Sequence, residues 1–302
     1  MRQTEERYIS LLTDFGFKRI FGSDINKDLL IDFLNSLFNG EQVVKNVTYL
    51  NSEHVGDVYA ERKAIFDVYC ENEHGEKFIV EMQNAYQTYF KDRSLYYATF
   101  PIREQAPKGD NWNFKLQHVY VVALLNYEMS DEAFSHESIN HDVGLLDKQT
   151  HKVFNNKLTF KYVEIARFNK DINELETNFD KWLYVLRNLS RLDNQPTYLR
   201  NEVFNRLFSQ AEIARFDKKE LKAYEDSLKA YRDIKNSLDT AKEEGRAEGR
   251  AEGLAKGRAE GASEKALTIA RELFAMNMSI DNIKKVTGLT DDEIHNLSNT
   301  SL

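Results

Sequence analysis

The stretch AIFDVYCENEHGEKFIVEMQ, residues 64–83, reads as two strands around a turn. Three-residue hairpin loops end on a residue in the left-handed region, usually glycine. Glu73, His74 and Gly75 then form the loop, and Asn72 pairs with Glu76. Counting outward, Asp67 falls opposite Glu81, and Ile65 opposite Gln83. Side chains alternate at period two, so Asp67, Glu81 and Gln83 share one face. Opposed residues have Cβ atoms about 4.5–5.5 Å apart. Two ionised carboxylates that close repel unless a cation lies between them. A register slipped by one residue would separate Asp67 from the other two. Two readings follow: an exposed hairpin face with ordinary surface carboxylates, or an oxygen-ligand metal site. Oxygen ligands favour Mg²⁺ or Mn²⁺, and Mg²⁺ takes one or two carboxylates together with waters and substrate phosphate. His74, at the turn, is expected in solvent.

The flanking segments supply a mixed α/β core. Before the hairpin, Leu29, Leu30, Phe33, Leu34, Leu37 and Phe38 recur at helical spacing, and Asn39-Gly40 ends the run. EQVVKNVTYLNS (41–52) is rich in Val, Thr and Tyr and reads as a strand. After the hairpin come a helix over 85–106 and a continuous apolar strand, HVYVVALLNYEM (118–129). A polar loop leads to a last strand, KLTFKYVEIARF (157–168). Residues 171–240 read as helical, with Trp182, Leu183, Val185, Leu186 and Leu189 as a buried set.

The chain has 302 residues, 41% of them hydrophobic, enough for a substantial core. Neither a signal peptide nor a membrane-spanning run is apparent, and the expected location is the cytoplasm, with no membrane partner. The single cysteine, Cys70, excludes an internal disulfide and a thiolate cluster, and it reads as packing. A net charge of −8 argues against coating nucleic acid through bulk charge, but leaves room for a local basic groove.

GRAEGRAEGLAKGRAEG repeats glycine at positions 245, 249, 253, 257 and 261. Each glycine costs a helix roughly 1 kcal/mol relative to alanine. Within one helix, Arg246/Arg250 and Glu248/Glu252 are like-charge neighbours. A second copy can set the Arg stripe against the Glu stripe, so the segment is either a flexible spacer or a self-association element. The last forty residues read as three short helices, with a capping box from Thr290 to Glu293 after Gly288. Their outline is a helix-turn-helix. The last helix opens with Asp291, Asp292 and Glu293, the wrong charge beside phosphates, which favours a packing or oligomerising module over a DNA reader.

The pattern Asp67…Glu81-x-Gln83 resembles the active-site hairpin of the PD-(D/E)xK nuclease superfamily. TDFGFKRIFG (13–22), IVEMQ (79–83), RSLYYAT (93–99), YVEIARF (162–168) and the glycine-repeat tail are similar to its recombination-promoting nuclease/putative transposase branch. The resemblance covers most of the chain. It implies an α/β, restriction-endonuclease-like mixed sheet flanked by helices, with a helical C-terminal extension. The expected division is a nuclease-like core over 1–170, a helical extension over 171–240, a helical glycine-repeat linker over 241–262 and a small helical module over 263–302.

It further implies a Mg²⁺- or Mn²⁺-dependent DNA endonuclease linked to recombination or mobile DNA, leaving 5′-phosphate and 3′-hydroxyl ends. Asp67 and Glu81 match the metal ligands, with the Met82 carbonyl as a further one. Gln83 stands where the wider superfamily has lysine, as is common in this branch. Glutamine can orient a water, but it supplies no positive charge. A cation must then come from Lys18, Lys91, Arg93 or the metal. Asp14 and Lys18 lie four apart and also fit a plain surface ion pair. Arg93 and Tyr97, likewise four apart, would contact a phosphate or simply brace their helix. The alternative is a catalytically silent DNA-binding or interaction protein that keeps the fold.

Overall fold

The computed structural model describes residues 6–54, 64–106, 113–129, 134–135 and 137–299. Its strands are β1 (Val47–Tyr49), β2 (Glu53–His54), β3 (Ala64–Ile65), β4 (Val68–Asn72), β5 (Lys77–Gln83), β6 (Val119–Leu125), β7 (Asn140–Leu146) and β8 (Val153–Glu164). Its helices are α1 (Asp14–Phe21), α2 (Lys27–Phe38), α3 (Phe90–Glu104), α4 (Asn178–Asn188), α5 (Glu202–Ala211), α6 (Lys218–Ala275), α7 (Ile280–Thr287) and α8 (Asp291–Asn299). Six strands form one mixed sheet in the order β1-β4-β5-β6-β8-β7, with β5, β6 and β8 parallel at its centre. Every residue of β6 is buried, as the unbroken apolar run over 119–125 requires of a strand covered on both faces.

Alternation along β5 divides the chemistry of the domain. Phe78, Val80 and Met82 join the core formed with α1, α2, α4 and α5, where Trp182 lies 5.5 Å from Phe21 and 5.1 Å from Phe204 by ring centroids. Ile79 joins the opposite core under α3, with Tyr69, Val121 and Phe160. Glu81 and Gln83 have the same parity as Ile79, so they face α3.

The six residues of α2 that recur at helical spacing are all buried, and the helix stops at Asn39, whose φ of 48° is left-handed. The Asn35 side chain bonds both the N–H and the carbonyl of Val44 at 2.8 Å, tying down the chain beyond that stop. α1 starts on Thr13, whose hydroxyl accepts the Gly16 N–H. A Cβ on Gly16 would lie 2.1 Å from the Ser10 carbonyl oxygen, so only glycine lets α1 pack here. Gly16→Ala is expected to cost about 3 kcal/mol, read from urea denaturation, because backbone rather than a flexible side chain stands in the way. An unchanged midpoint would contradict that packing.

Several local readings are corrected. The strand expected over 41–52 is ordered as β only at 47–49. β7 occupies what reads as a polar loop: five of its seven residues are exposed on a sheet edge, so its sequence lacks the alternation of a half-buried strand. Ile65 pairs with Glu53 in a separate two-stranded sheet, not with Gln83. Past Val68 the chain leaves β5, because β3 is drawn to β2.

The chain divides into two compact units, Met1–Asn236 and Ser237–Leu302. α6 is one continuous helix over 218–275 that contains the whole glycine repeat, so the first of the three helices expected at the C-terminus is its last part. Within the second unit, Ala270, Ile283, Leu289 and Ile294 form a small core. α7 ends at Gly288 with φ of 74°, and Thr290 and Glu293 form the capping box of α8. No helix among the described residues is long and apolar enough to cross a membrane.

Candidate active site

The hairpin has the pairing that places two carboxylates together. β4 and β5 run antiparallel with Glu71 opposite Lys77 and Val68 opposite Val80. At the turn the Asn72 N–H donates to Glu76 O at 3.0 Å, and Gly75 has φ of 75°. The left-handed glycine sets a three-residue loop, and the same count brings Asp67 level with Glu81. His74 is exposed, as expected of the turn. Cys70 is fully buried and burial pushes its thiol up to about 12, so it is inert packing.

Asp67 lies where β4 parts from β5, and backbone groups freed by that parting hold both carboxylates. The Asp67 N–H donates to Glu81 Oε1 at 3.2 Å, and the Met82 N–H donates to Asp67 Oδ2 at 2.9 Å. N–H and C=O of one strand residue point to the same edge. The Met82 carbonyl therefore points to the Asp67 side, while that of Gln83 accepts the Asn126 N–H. Glu81 is 6% exposed and the Asp67 side chain 23%, so the pair opens to solvent at Asp67.

Burial, and then the charge of Asp67, push the Glu81 carboxyl up to about 8. Burial also raises Asp67, against the opposing pull of the Met82 N–H and Lys18. Both carboxylates therefore demand a proton or a cation.

Gln83 is buried beside them. Its Nε2 donates to Glu81 Oε2 at 3.2 Å, and its Oε1 accepts from an Arg93 NH₂ at 2.5 Å. The other Arg93 terminal nitrogen donates to Gln87 Oε1 at 2.5 Å, and the guanidinium lies 5.7 Å from the Tyr97 ring centroid. Arg93 Nε is buried and has no hydrogen-bond partner among the described residues. Tyr97 is half-buried against Phe66, at 5.2 Å between ring centroids, and both burial and the nearby Glu81 raise its hydroxyl.

Lys18 makes the ion pair its spacing with Asp14 allows and also approaches Asp67. Its ammonium lies 2.6 Å from Asp14 Oδ1 and 3.9 Å from Asp67 Oδ1. Burial works against that charge, but Asp14, Asp67 and Glu81 outweigh it and hold the lysine pKa above its usual value. Lys91 is exposed on α3, and its charge acts on Tyr162. It is Arg93 that reaches Gln83.

Two residues without a motif also shape the site. Gln87 steadies Arg93 from the loop before α3. Asn84 donates to the Leu12 carbonyl at 2.7 Å, fastening the end of β5 to the segment that launches α1 and so to Lys18. Partners 72 residues apart leave no local signal.

The donor set fits a hard divalent ion. It offers two carboxylates side by side and one open approach, while no group of three or more His, Cys, Asp or Glu suited to a metal exists among the described residues. A closed structural site needs more ligands, whereas a Mg²⁺ site completed by water and substrate needs no more than this.

The family model for the PD-(D/E)XK nuclease family transposase matches residues 11–241. The chain belongs to this family. The matched span contains the whole six-stranded sheet and every residue of the candidate site described above. A second model, for the Rpn/YhgA-like nuclease family C-terminal HTH domain, matches residues 263–299 and agrees with the helix-turn-helix outline of that segment. No curated protein and no solved structure gives a match.

Proposed function

We propose that this PD-(D/E)XK family member is a divalent-metal-dependent DNA endonuclease that hydrolyses phosphodiester bonds, with its site on the β4–β5 hairpin. One observation carries the reading: two carboxylates face each other at a strand end, each anchored by the other strand's backbone N–H and each pushed toward a proton or a cation.

Asp67 and Glu81, with the Met82 carbonyl, would hold Mg²⁺ or Mn²⁺. When bound, the ion lowers the pKa of a water and offsets phosphate charge. Gln83, with one amide end on Glu81 and the other on Arg93, orients groups at the carboxylates without titrating. Arg93 supplies the positive charge that glutamine lacks, within reach of a phosphate at the carboxylates. Lys18 adds charge at Asp67. Tyr97 braces Arg93. Purified protein is expected to nick supercoiled plasmid with Mg²⁺ or Mn²⁺ and not with EDTA. DNA binding with no cleavage under either metal would instead favour a silent DNA-binding scaffold.

The partner is DNA, engaged by the nuclease unit; the match of 263–299 to an HTH domain outweighs the acidic start of α8 that favoured a packing module, and makes that segment a second contact. A role in recombination or mobile DNA accords with the family's description, and a cytoplasmic location accords with DNA as substrate. We further propose self-association through 241–262. A Cβ on any of Gly245, Gly249, Gly253, Gly257 or Gly261 would meet nothing within 4 Å, so along this helix the glycine stripe is open to a second helix. Deleting 241–262 is expected to lower the mass in solution to that of the monomer. An intact chain that is already monomeric would remove this part.

A further inference from the structure

Three tyrosines stand in solvent on the segment just after Gln83. Tyr86 is 52% exposed, Tyr89 74% and Tyr96 42%. Tyr89 lies four residues before Arg93 and Tyr96 three after it, so Tyr89, Arg93 and Tyr96 share one face of α3. Arg93 ties that face to Gln83. Two of the three rings are steadied from behind: Tyr96 meets Phe100 edge-on at 5.1 Å, and Tyr86 meets Tyr127 edge-on at 5.7 Å. Steadied rings that still show a face to water lose little freedom when a flat partner covers them.

Charge on this surface is sparse. α3 carries Lys91, Arg93 and Arg103 against Asp92 and Glu104, and the chain as a whole has a net charge of −8. Duplex binding through the backbone rests on many phosphate contacts, about six to ten in typical cases. Stacking of bases on aromatic side chains works with few cations and needs bases that are not paired.

We infer that the strand presented to Asp67 and Glu81 is unpaired, with bases stacked on Tyr89 and Tyr96 and a backbone phosphate against Arg93. The seven steps from Tyr89 to Tyr96 span about 10 Å of helix, roughly three nucleotide rises. The Arg93 terminal nitrogen that bonds Gln87 at the surface keeps a second N–H for a phosphate between the two rings. The substrate class is single-stranded DNA, or a single-stranded stretch within a duplex. This inference rests on the nuclease reading for its location, but its test is one of binding.

The test is fluorescence anisotropy of the full chain in EDTA, with a labelled mixed-sequence single strand and its blunt duplex at one fixed salt concentration. The single strand is expected to bind at least tenfold more tightly than the duplex. Tyr89→Ala and Tyr96→Ala are each expected to weaken single-strand binding roughly tenfold, and Tyr→Phe at either position to restore it, since phenylalanine keeps the ring. Equal affinity for the two DNA forms, or alanine variants that bind the single strand as the native chain does, would overturn the inference. Tyrosine-dependent single-strand binding supports it even if no metal yields cleavage, a result that would remove the nuclease reading alone. Metal-dependent duplex cleavage with single-strand binding indifferent to both tyrosines would overturn this inference alone.

Discussion

Glu81→Gln is expected to abolish metal-dependent cleavage and, without metal, to make the protein more stable at neutral and alkaline pH. Both effects come from one carboxylate held at a cost. In the native chain Glu81 sits almost buried against Asp67, with its pKa pushed up to about 8 from an ordinary 4.5. Between those values the folded protein keeps a proton that the unfolded chain has released. Stability without metal is therefore fullest below about 4.5 and falls as pH rises toward 8. The fall between those two pKa values is on the order of 5 kcal/mol.

Glutamine is close in shape, keeps the oxygen that accepts the Asp67 N–H, and does not titrate; its amide nitrogen forfeits only the 3.2 Å bond from Gln83 Nε2. The variant is expected to lose that pH dependence in thermal melts in EDTA. Added Mg²⁺ is expected to raise the melting temperature of the native protein at pH near 8 and to leave the variant unmoved, because metal displaces the proton only where the second carboxylate exists. Cleavage is expected to drop by about a thousandfold or more, since metal stabilisation of transition-state charge amounts to several kcal/mol. A variant that melts lower than native at pH 8 in EDTA would mean that Glu81 is a structural anchor. Undiminished cleavage would place the site elsewhere.

Arg93→Ala is expected to lower kcat by about a hundredfold, the scale of losing one preorganised donor at a developing oxyanion. Gln83→Lys alone is also expected to be harmful, although it installs the lysine of the wider superfamily. A lysine there would carry its ammonium toward the guanidinium that now bonds Gln83 Oε1 at 2.5 Å, in a position only 9% exposed. Two cations crowded there repel, and one must leave the site. Combined, the substitutions are expected to recover at least tenfold over Arg93→Ala, since a single cation again stands beside Glu81. This is sign epistasis between touching residues, read from kcat of the four proteins in one cycle. Losses that simply add would show that Arg93 does not carry the charge absent from Gln83.

What the chain determines locally is the hairpin. Gly75 admits the left-handed turn, the turn sets the register, and alternation puts Asp67, Glu81 and Gln83 on one face. All three steps involve residues within a few positions of one another or directly paired, so local sequence determines them. The buried apolar run of β6, the amphipathic α2 with its Asn39 stop and the cluster around Trp182 were readable for the same reason: periodicity survives wherever one side of an element must leave water.

Tertiary structure decided the rest. Whether the carboxylate pair would face water or be drawn under a helix depended on α3, which covers that side of the sheet. Which of three nearby cations would reach Gln83 depended on how α3 is rotated, and the rotation turns Arg93 inward and leaves Lys91 in solvent. Lys18 comes to Asp67 because Asn84 fastens the end of β5 to Leu12, a contact between segments far apart in the chain. The departure of Ile65 toward β2 opens the strand end at Asp67, and no turn signal near Ile65 announces it. β7 was hidden because an exposed edge strand has no buried face to impose a pattern. Local periodicity records what is taken out of water along one element. The choice of partner between elements is made by the packing of the whole domain.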